Sequence, residues 1–468
     1  MCIRDRTTLD QLRGKRVHFI GIGGAGMSGI AKIMLSQGIE VSGSDLKEST
    51  VTENLRTMGA KIFIGHKAEN VEGVDLLVLS TAIAADNPER AAALGQEIPT
   101  MARAEALALL MNGKRSVAVA GTHGKTTTTS MLTVALQSAG LDPSFAIGGM
   151  INASGVNAYF GSGDIFVAEA DESDGSFLAY KPLGAVITNI ELDHVDHFAD
   201  LESIYALFEE FIGSIAFNGF LIACGDDPGV RELLERIKSM GRSDLTITTY
   251  GEGENDWQIT RIALDAGSSA ARVLHNGKVI GELELQVPGH HNLLNALAAL
   301  AASDALNIPA RSILDGLATF TGSRRRFELK GEVGGVRVVD DYGHHPTEIR
   351  VTLETARRYV GAGRLIVIFQ PHRYSRTQAF ASEFAKALDL ADEIYLLEVY
   401  AASEDPIPGV SSLLISSQMS SEKVHYEPSM VAVVEAVTEG AKENDLIMTM
   451  GAGDVSSLAP VIVKSLAQ

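Results

Sequence analysis

A short apolar run, Val117-Ala118-Val119-Ala120, opens directly onto Gly121-Thr122-His123-Gly124-Lys125-Thr126-Thr127. Residues of these types in this order suit one chemistry, the holding of a polyphosphate. The glycines admit backbone N–H groups to phosphate oxygens, and the start of a following helix adds partial positive charge. Lys125 reaches the terminal phosphates, and the Thr126 hydroxyl offers a magnesium ligand. The spacing is shorter than the common G-x-x-x-x-G-K-[ST], which would need glycine where this chain has Val119. The competing reading is a plain strand-to-helix turn with a surface lysine. Against it stand the consecutive threonines Thr126 to Thr129, since β-branched residues are mediocre helix formers.

Other clusters sit at the ends of other apolar runs. Asp164 to Ala168 leads into Glu169-Ala170-Asp171-Glu172-Ser173-Asp174, and Gly184 to Asn189 leads into Glu191-Leu192-Asp193-His194-Val195-Asp196-His197. A parallel sheet places ligand groups at the carboxyl ends of its strands. One carboxylate of the first cluster can complete a magnesium shell with Thr126, and the acid–His pairs of the second suit another metal; a solvated acidic loop is the plain alternative. Asn292 and Asn295 stand on an otherwise apolar, Ala-rich helix after Pro288-Gly289-His290-His291. One can serve as a cap, but amides also suit hydrogen bonding to adenine. Near the C-terminus, Asp340-Asp341-Tyr342-Gly343-His344-His345-Pro346 and Gln370-Pro371-His372-Arg373-Tyr374-Ser375-Arg376 end two strands that should face one crevice. Arg373 and Arg376 have the planar forks that clamp a carboxylate bidentately.

A second glycine loop stands near the N-terminus. Strand Arg16 to Ile20 is followed by Gly21-Ile22-Gly23-Gly24-Ala25-Gly26, a helical segment to about Gln37, and a strand Val41 to Ser44 that ends at Asp45. This is the G-x-G-x-x-G fingerprint with an acid about 20 residues on. It suits a pyrophosphate beside a ribose or base, which a UDP-sugar and NAD both present. An NAD-dependent oxidoreductase would use this loop and leave the other clusters idle, and a nucleotide switch would use the Lys125 loop alone.

The elements that must position these groups alternate between strand and helix. The predicted fold class is α/β in three domains: a Rossmann-like N-terminal domain, a central P-loop ATPase-type domain with a mostly parallel sheet, and a Rossmann-like C-terminal domain. Met111-Asn112-Gly113-Lys114 and the Arg-rich Ser323-Arg324-Arg325-Arg326-Phe327 mark the joints, giving domains 1–113, 114–322 and 323–468. Residues 257–287 alternate around His275-Asn276-Gly277 and predict an antiparallel hairpin.

Composition sets bounds. The 468 residues carry 39 Lys+Arg against 59 Asp+Glu, a formal net charge of −20, and no basic tract to neutralise nucleic acid. Anionic ligands must therefore be held by loop amides, a few cations and metal. Cys2 and Cys224 are the only cysteines, which leaves no disulfide framework or zinc motif. The N-terminus has no apolar signal core and no run spans a membrane, so a cytoplasmic setting is expected.

Together these segments resemble the Mur ligases, the ATP-dependent amide-forming enzymes of peptidoglycan synthesis, over nearly the whole chain. The resemblance is carried by GIGGAGMSGIA from Gly21, AGTHGKTTTT from Ala120, VAEADESDGSF from Val167, TNIELDHVDHF from Thr188, PGHHNLLNALAA from Pro288, RRFE from Arg325, DDYGHHPTEI from Asp340 and PHRYSRT from Pro371. It implies domains for UDP-sugar, ATP and amino acid in that order, with Gly21, Gly23, Gly24, Gly26 and Asp45 on the UDP-sugar. It implies ATP on Gly121 to Thr127, Asn292, Asn295, Arg326 and Asp341, and an amino-acid pocket of Tyr342, His344, Arg373 and Arg376. Mg2+ or Mn2+ would take Thr126, Glu169 and His194, and Lys125, Glu169 and His194 would be catalytic. Other members carry a carbamylated lysine where this chain has Phe208-Glu209-Glu210, a departure shared with the alanine-adding branch. The implied partners are therefore UDP-N-acetylmuramate and L-alanine, with no nucleic acid or membrane, in a monomer or homodimer. A sister branch that joins a ready-made peptide to the same sugar has a DEYD-type segment where this chain has ADESDGSF, and is the weaker match.

Overall fold

Most of the apolar runs read above are too short for helices and are bounded by glycine or polar turns, and these become strands. The computed structural model describes residues 8–80, 83–402, 404–420 and 422–468, which leaves Cys2 outside the described residues. The strands form three sheets. In the first the spatial order is Lys61–Ile64, Glu40–Asp45, Arg16–Ile20, Leu76–Leu79, Thr100–Ala102, all parallel. Its glycine loop leads into the helix Ala25–Ser36.

Among the described residues the central sheet has ten strands, and its parallel middle runs Thr246–Gly251, Phe220–Cys224, Gly184–Ile187, Arg115–Ala120, Ile165–Glu169, Ser144–Ala146. Val117 and Val119 face the helices Lys125–Ser138 and His290–Ala305, while Ala118 and Ala120 face the opposite layer with Phe208 and Phe211. That second layer is continuous with the core of the first sheet: one apolar cluster runs from Leu12, Phe19 and Ile33 through Phe166 and Phe177 to Leu233. Thr126, Thr128 and Thr129 at the start of helix Lys125–Ser138 are buried, and two threonine hydroxyls of the helix are satisfied within it. Thr129 Oγ1 donates to Lys125 O at 2.8 Å, and Thr133 Oγ1 to Thr129 O at 2.8 Å.

The third sheet orders Glu328–Val333, Val336–Asp341, Leu446–Met450, Leu365–Phe369, Glu393–Leu396, Val424–Tyr426, parallel except for its first pair. Its two faces carry separate apolar clusters confined to this part of the chain. Strands Val336–Asp341 and Leu365–Phe369 flank the same neighbour, so their two His/Arg loops emerge on one edge, as expected.

Three features depart from the sequence reading. The predicted hairpin is a three-stranded meander, Trp257–Leu264, Ser269–His275 and Lys278–Leu285. Asn276 (φ 49°) and Gly277 (φ 73°) make its expected tight turn, but a second turn precedes Ser269 with no comparable Asn-Gly signal. Strand Glu328–Val333 forms an antiparallel edge immediately after the Arg-rich joint. The helix Ala310–Leu317 was unread because eight residues leave little periodicity to detect.

That short helix packs on the helix that begins at Lys125. A Cβ built on Gly316 would stand 2.8 Å from Ala135 Cα and 2.9 Å from Ala135 O. Gly316→Val should therefore overpack this seam and cost about 1–3 kcal/mol, read as a lower midpoint in thermal or urea unfolding. An unchanged midpoint would mean that the two helices are not held at this distance.

Candidate active site

The Lys125 loop is built by close approach. Gly121 has φ 127°, and a Cβ there would fall 2.2 Å from Thr188 Oγ1. Gly124, at φ 80°, caps the helix, and its Cβ would fall 2.7 Å from Asn295 Oδ1. Side chains are excluded at both positions, so the loop amides stay bare. Lys125 Nζ folds back, donating to Gly121 O at 2.7 Å and Thr122 O at 3.1 Å, and lies 2.9 Å from Glu172 Oε2. Burial works against its charge, but Glu172, Asp171 and Glu169 outweigh burial and raise its pKa. The same burial pushes Glu172 up to about 7, with Lys125 opposing.

The structure brings Thr126 and Glu169 together. Thr126 Oγ1 donates to Glu169 Oε1 at 2.9 Å, and Gly148 N donates to Glu169 Oε2 at 2.7 Å. Two hard oxygens, one in the first turn of helix Lys125–Ser138 and one at the end of strand Ile165–Glu169, fit a magnesium shell beside a phosphate loop. His194, with φ 50°, sits apart from that pair. Its Nε2 lies 4.0 Å from Glu172 Oε1 and 3.8 Å from Asp193 Oδ2, and its Nδ1 is buried without a hydrogen-bond partner. Burial lowers its pKa, as a neutral nitrogen ligand requires, and its donor atoms cluster with those of Asp171 and Glu172 within 4.8 Å. His123, Glu191 and His345 form a second such cluster.

A cavity of about 640 Å³ opens beside the loop at the junction of the second and third sheets, lined by His123, Thr127, Asn292, Asn295, Arg326 and Asp341 among others. Of the expected nucleotide residues, His123, Gly124, Thr127, Asn292, Asn295, Arg326 and Asp341 thus line one cavity, while Gly121, Thr122, Lys125 and Thr126 are outside its lining. Asn292 Nδ2 donates to Pro288 O at 2.7 Å, and Thr128 Oγ1 donates to Asn295 Oδ1 at 3.2 Å, so each amide keeps further hydrogen-bonding capacity. Asp341 holds its own turn, accepting from Phe327 N and Gly343 N at 2.8 Å each. The Arg326 guanidinium lies over the Tyr342 ring at 5.1 Å.

Tyr342 and His344 meet with ring centroids 5.3 Å apart, and His344 and His372 with 5.8 Å. Arg373 and Arg376 reach the same crevice but bind carboxylates of the central sheet's loops. Arg376 donates from Nε and Nη2 to Asp193 Oδ1 at 2.9 and 2.7 Å, and Arg373 pairs with Asp196. Burial lowers His344 and His345 to about 4 and His372 to about 3. His123 is the exception: burial opposes its charge, yet contacts from Glu191 and Glu348 at 3.5 Å each raise it to about 9.

The N-terminal glycines form a separate loop. Gly21 (φ 75°) turns the chain and donates to Ser44 O at 2.8 Å, and Gly23 N donates to Asp45 Oδ2 at 2.9 Å. Gly24 caps the helix. A Cβ on Gly26 would meet Arg103 Nη1 at 3.0 Å, and Arg103 Nη2 donates to Ser176 Oγ at 3.2 Å. Arg103 thus links this loop to the segment after Glu172. Neither Arg103 nor Glu348 was singled out from the sequence. A lone Arg or Glu on a helix carries no signal until folding shows what it faces.

The chain matches three parts of one family: "Mur ligase family, catalytic domain" over residues 16–115, "Mur ligase middle domain" over 119–303 and "Mur ligase, glutamate ligase domain" over 325–453. It is 50% identical over 458 residues to UDP-N-acetylmuramate–L-alanine ligase of Saccharopolyspora erythraea, covering 96% of this chain and 93% of that one. It is 49% identical to the protein of the same name from Acidothermus cellulolyticus, covering 96% and 95%. Among solved structures it is similar to UDP-N-acetylmuramate-alanine ligase from Thermotoga maritima, with TM-score 0.81 and 31% identity over 96% of this chain and 98% of that one. A murein peptide ligase from Psychrobacter arcticus gives TM-score 0.72 and 25% identity over 97% and 99%.

The His123 shift gives a pH prediction. Its folded pKa, about 9, lies above the ordinary 6.5, so its stabilising contribution is complete below 6.5 and is lost as pH rises through about 9. Thermal unfolding at rising alkaline pH should show a steeper loss in the wild type than in His123→Asn. Parallel curves would show that His123 is not held charged in the folded protein.

Proposed function

This chain belongs to the Mur ligase family, and from that premise we propose that it joins L-alanine to the lactyl carboxylate of UDP-N-acetylmuramate at the cost of one ATP. The observation that carries the reading is the Lys125 loop: a buried, charged lysine beside bare amides and a Thr126–Glu169 oxygen pair, set between a UDP-sugar-type loop and a crevice of His and Arg. The domains 1–113, 114–322 and 323–468 would bind UDP-sugar, ATP and alanine in turn.

A carboxylate is a poor electrophile, and phosphorylation gives it a leaving group. The lactyl carboxylate attacks the γ-phosphorus of ATP, the bond to the β-bridging oxygen breaks, and ADP leaves with an acyl phosphate remaining. The unprotonated alanine amine then attacks the acyl carbon, and the tetrahedral adduct expels inorganic phosphate and forms the amide after loss of the amine proton. Two anions must meet in the first step, so it needs concentrated positive charge. Lys125 supplies it on the loop; Thr126 and Glu169 would hold one Mg2+ or Mn2+ and His194 a second, and the metals would screen the phosphates. Asn292, Asn295, Arg326 and Asp341 would hold the nucleotide. Gly21, Gly23, Gly24, Gly26 and Asp45 would admit the UDP moiety.

Tyr342, His344, Arg373 and Arg376 would form the alanine pocket. Supporting this, both arginines already face carboxylates, and the neighbouring imidazoles are held neutral. Asp193 and Asp196 stand where an amino-acid carboxylate would compete. The peptide-joining alternative is disfavoured by the closer likeness to alanine ligases, and an oxidoreductase leaves the Lys125 loop without purpose.

Phosphate release tests the reading. It should require UDP-N-acetylmuramate, ATP and L-alanine together. Release with nucleotide alone would indicate a switch protein, and release with a tripeptide but not alanine would indicate the recycling reaction. Lys125→Ala should lower turnover about 10²–10³-fold or more, the scale for losing one transition-state electrostatic contact, in a protein that folds with a lower melting point because Glu172 loses its partner. Separately, Gly23→Val would drive a side chain into the Asp45 carboxylate, whose Oδ2 is 2.8 Å from even a bare Cβ. Calorimetry should show weakened UDP-sugar binding with ATP binding retained; equal loss of both would mean general damage.

A further inference from the structure

Glu348 belongs to none of the ligand sets assigned above, yet it touches the segments that carry two of them. It lies in the first turn of the helix Pro346–Val360 and is largely buried. Its Oε1 is 3.5 Å from His123 Nδ1, on the Lys125 loop, and 3.5 Å from Arg326 Nη1, at the joint between the second and third sheets. Its Oε2 accepts from His344 N at 3.0 Å and lies 3.4 Å from His344 Nδ1, in the proposed alanine pocket. Burial would raise its pKa, but His344, His123 and Arg326 outweigh burial and hold it well below the usual carboxylate range. His123 is gripped from the other side by Glu191, which also accepts from Thr347 Oγ1 at 2.6 Å. An acid placed only to favour a helix N-terminus needs none of these partners.

We propose that Glu348 is a positioning residue that couples the nucleotide loop to the amino-acid pocket, through His123 on one side and His344 on the other. This rests on the ligase reading above. One carboxylate shared by the two segments makes their placements interdependent: seating the loop around nucleotide fixes Glu348, and Glu348 fixes the backbone and ring of His344. The pocket is then in its binding geometry only while the third domain is docked on the loop. The arrangement would order the reaction, because alanine meets a formed pocket only where the acyl phosphate is being made.

The test compares full-length wild type, Glu348→Gln, Glu348→Asp, His123→Asn and the Glu348→Gln/His123→Asn double variant. Gln keeps an oxygen for His344 N and so preserves the helix start, but removes the charge that faces His123 and Arg326. The melting point of Glu348→Gln should stay within about 4 °C of wild type, the shift of a small stability change. Its KM for alanine should rise about 10- to 100-fold, the range for a lost charge-assisted contact, with the KM for UDP-N-acetylmuramate little changed. Glu348→Asp should recover part of the loss. The rise caused by Glu348→Gln should shrink sharply when His123 is already Asn, since the coupling is then broken. An unchanged alanine KM, an equal loss for all three substrates, or the same rise in both backgrounds would overturn the inference. The wild-type control separates the two readings. No alanine-dependent phosphate release there defeats the ligase assignment, whereas normal release with an unaltered Glu348→Gln variant defeats only the role of Glu348.

Discussion

A buried ammonium among carboxylates is the constraint on which this structure depends. Lys125 has almost no water, so its charge must be balanced by protein groups, and Glu172, Asp171 and Glu169 do so from the end of one neighbouring strand. That arrangement dictates much else. The strand Ile165–Glu169 must lie beside Arg115–Ala120 in parallel register, and the loop must curl tightly enough for Nζ to reach Gly121 O. The tight curl in turn requires bare glycine at Gly121 and Gly124. An acidic protein can in this way keep one ammonium charged and fixed where it is needed. The excess carboxylates are part of the device rather than an obstacle to it.

The same logic recurs at the junction with the third sheet. Arg376 with Asp193, Arg373 with Asp196, Thr347 with Glu191 and His123 with Glu348 all join loops at strand ends across the joint. The contacts are polar and directional, so they place the His/Arg crevice over the Lys125 loop in one orientation. A buried arginine on a carboxylate is costly to separate from its partner unless another anion takes its place. Ligand carboxylates and phosphates are anions of that kind.

Much of this was legible in the chain itself. The glycine loops could be read because close backbone approach demands glycine at defined spacings, as Gly21, Gly121 and Gly124 demonstrate. Strand ends could be read because a buried parallel strand is an uninterrupted apolar run, and the run from Val117 stops at Ala120, where its strand ends. Thr126 and Glu169 met as expected. Pairing within the acidic strings could not be read. In one dimension Asp171, Glu172, Asp193 and Asp196 are equivalent carboxylates, and only the fold decides that Glu172 faces Lys125 while Asp193 faces Arg376. The helix Ala310–Leu317 and the edge strand Glu328–Val333 escaped for another reason. Both are short, and their placement comes from packing against neighbours remote in sequence.

The two joints of the molecule differ in kind. The first is dry: one apolar cluster passes without interruption from the first sheet into the lower layer of the central sheet. The second is polar: the apolar clusters of the third sheet are separate from those of the central sheet, and the contacts across it are ion pairs and hydrogen bonds, several of them buried. A dry joint holds through apolar area alone, whereas a polar one is undone partner by partner, as a competing ion replaces one side of a pair. An anion that displaces Asp193 from Arg376 would loosen the second joint and leave the first untouched.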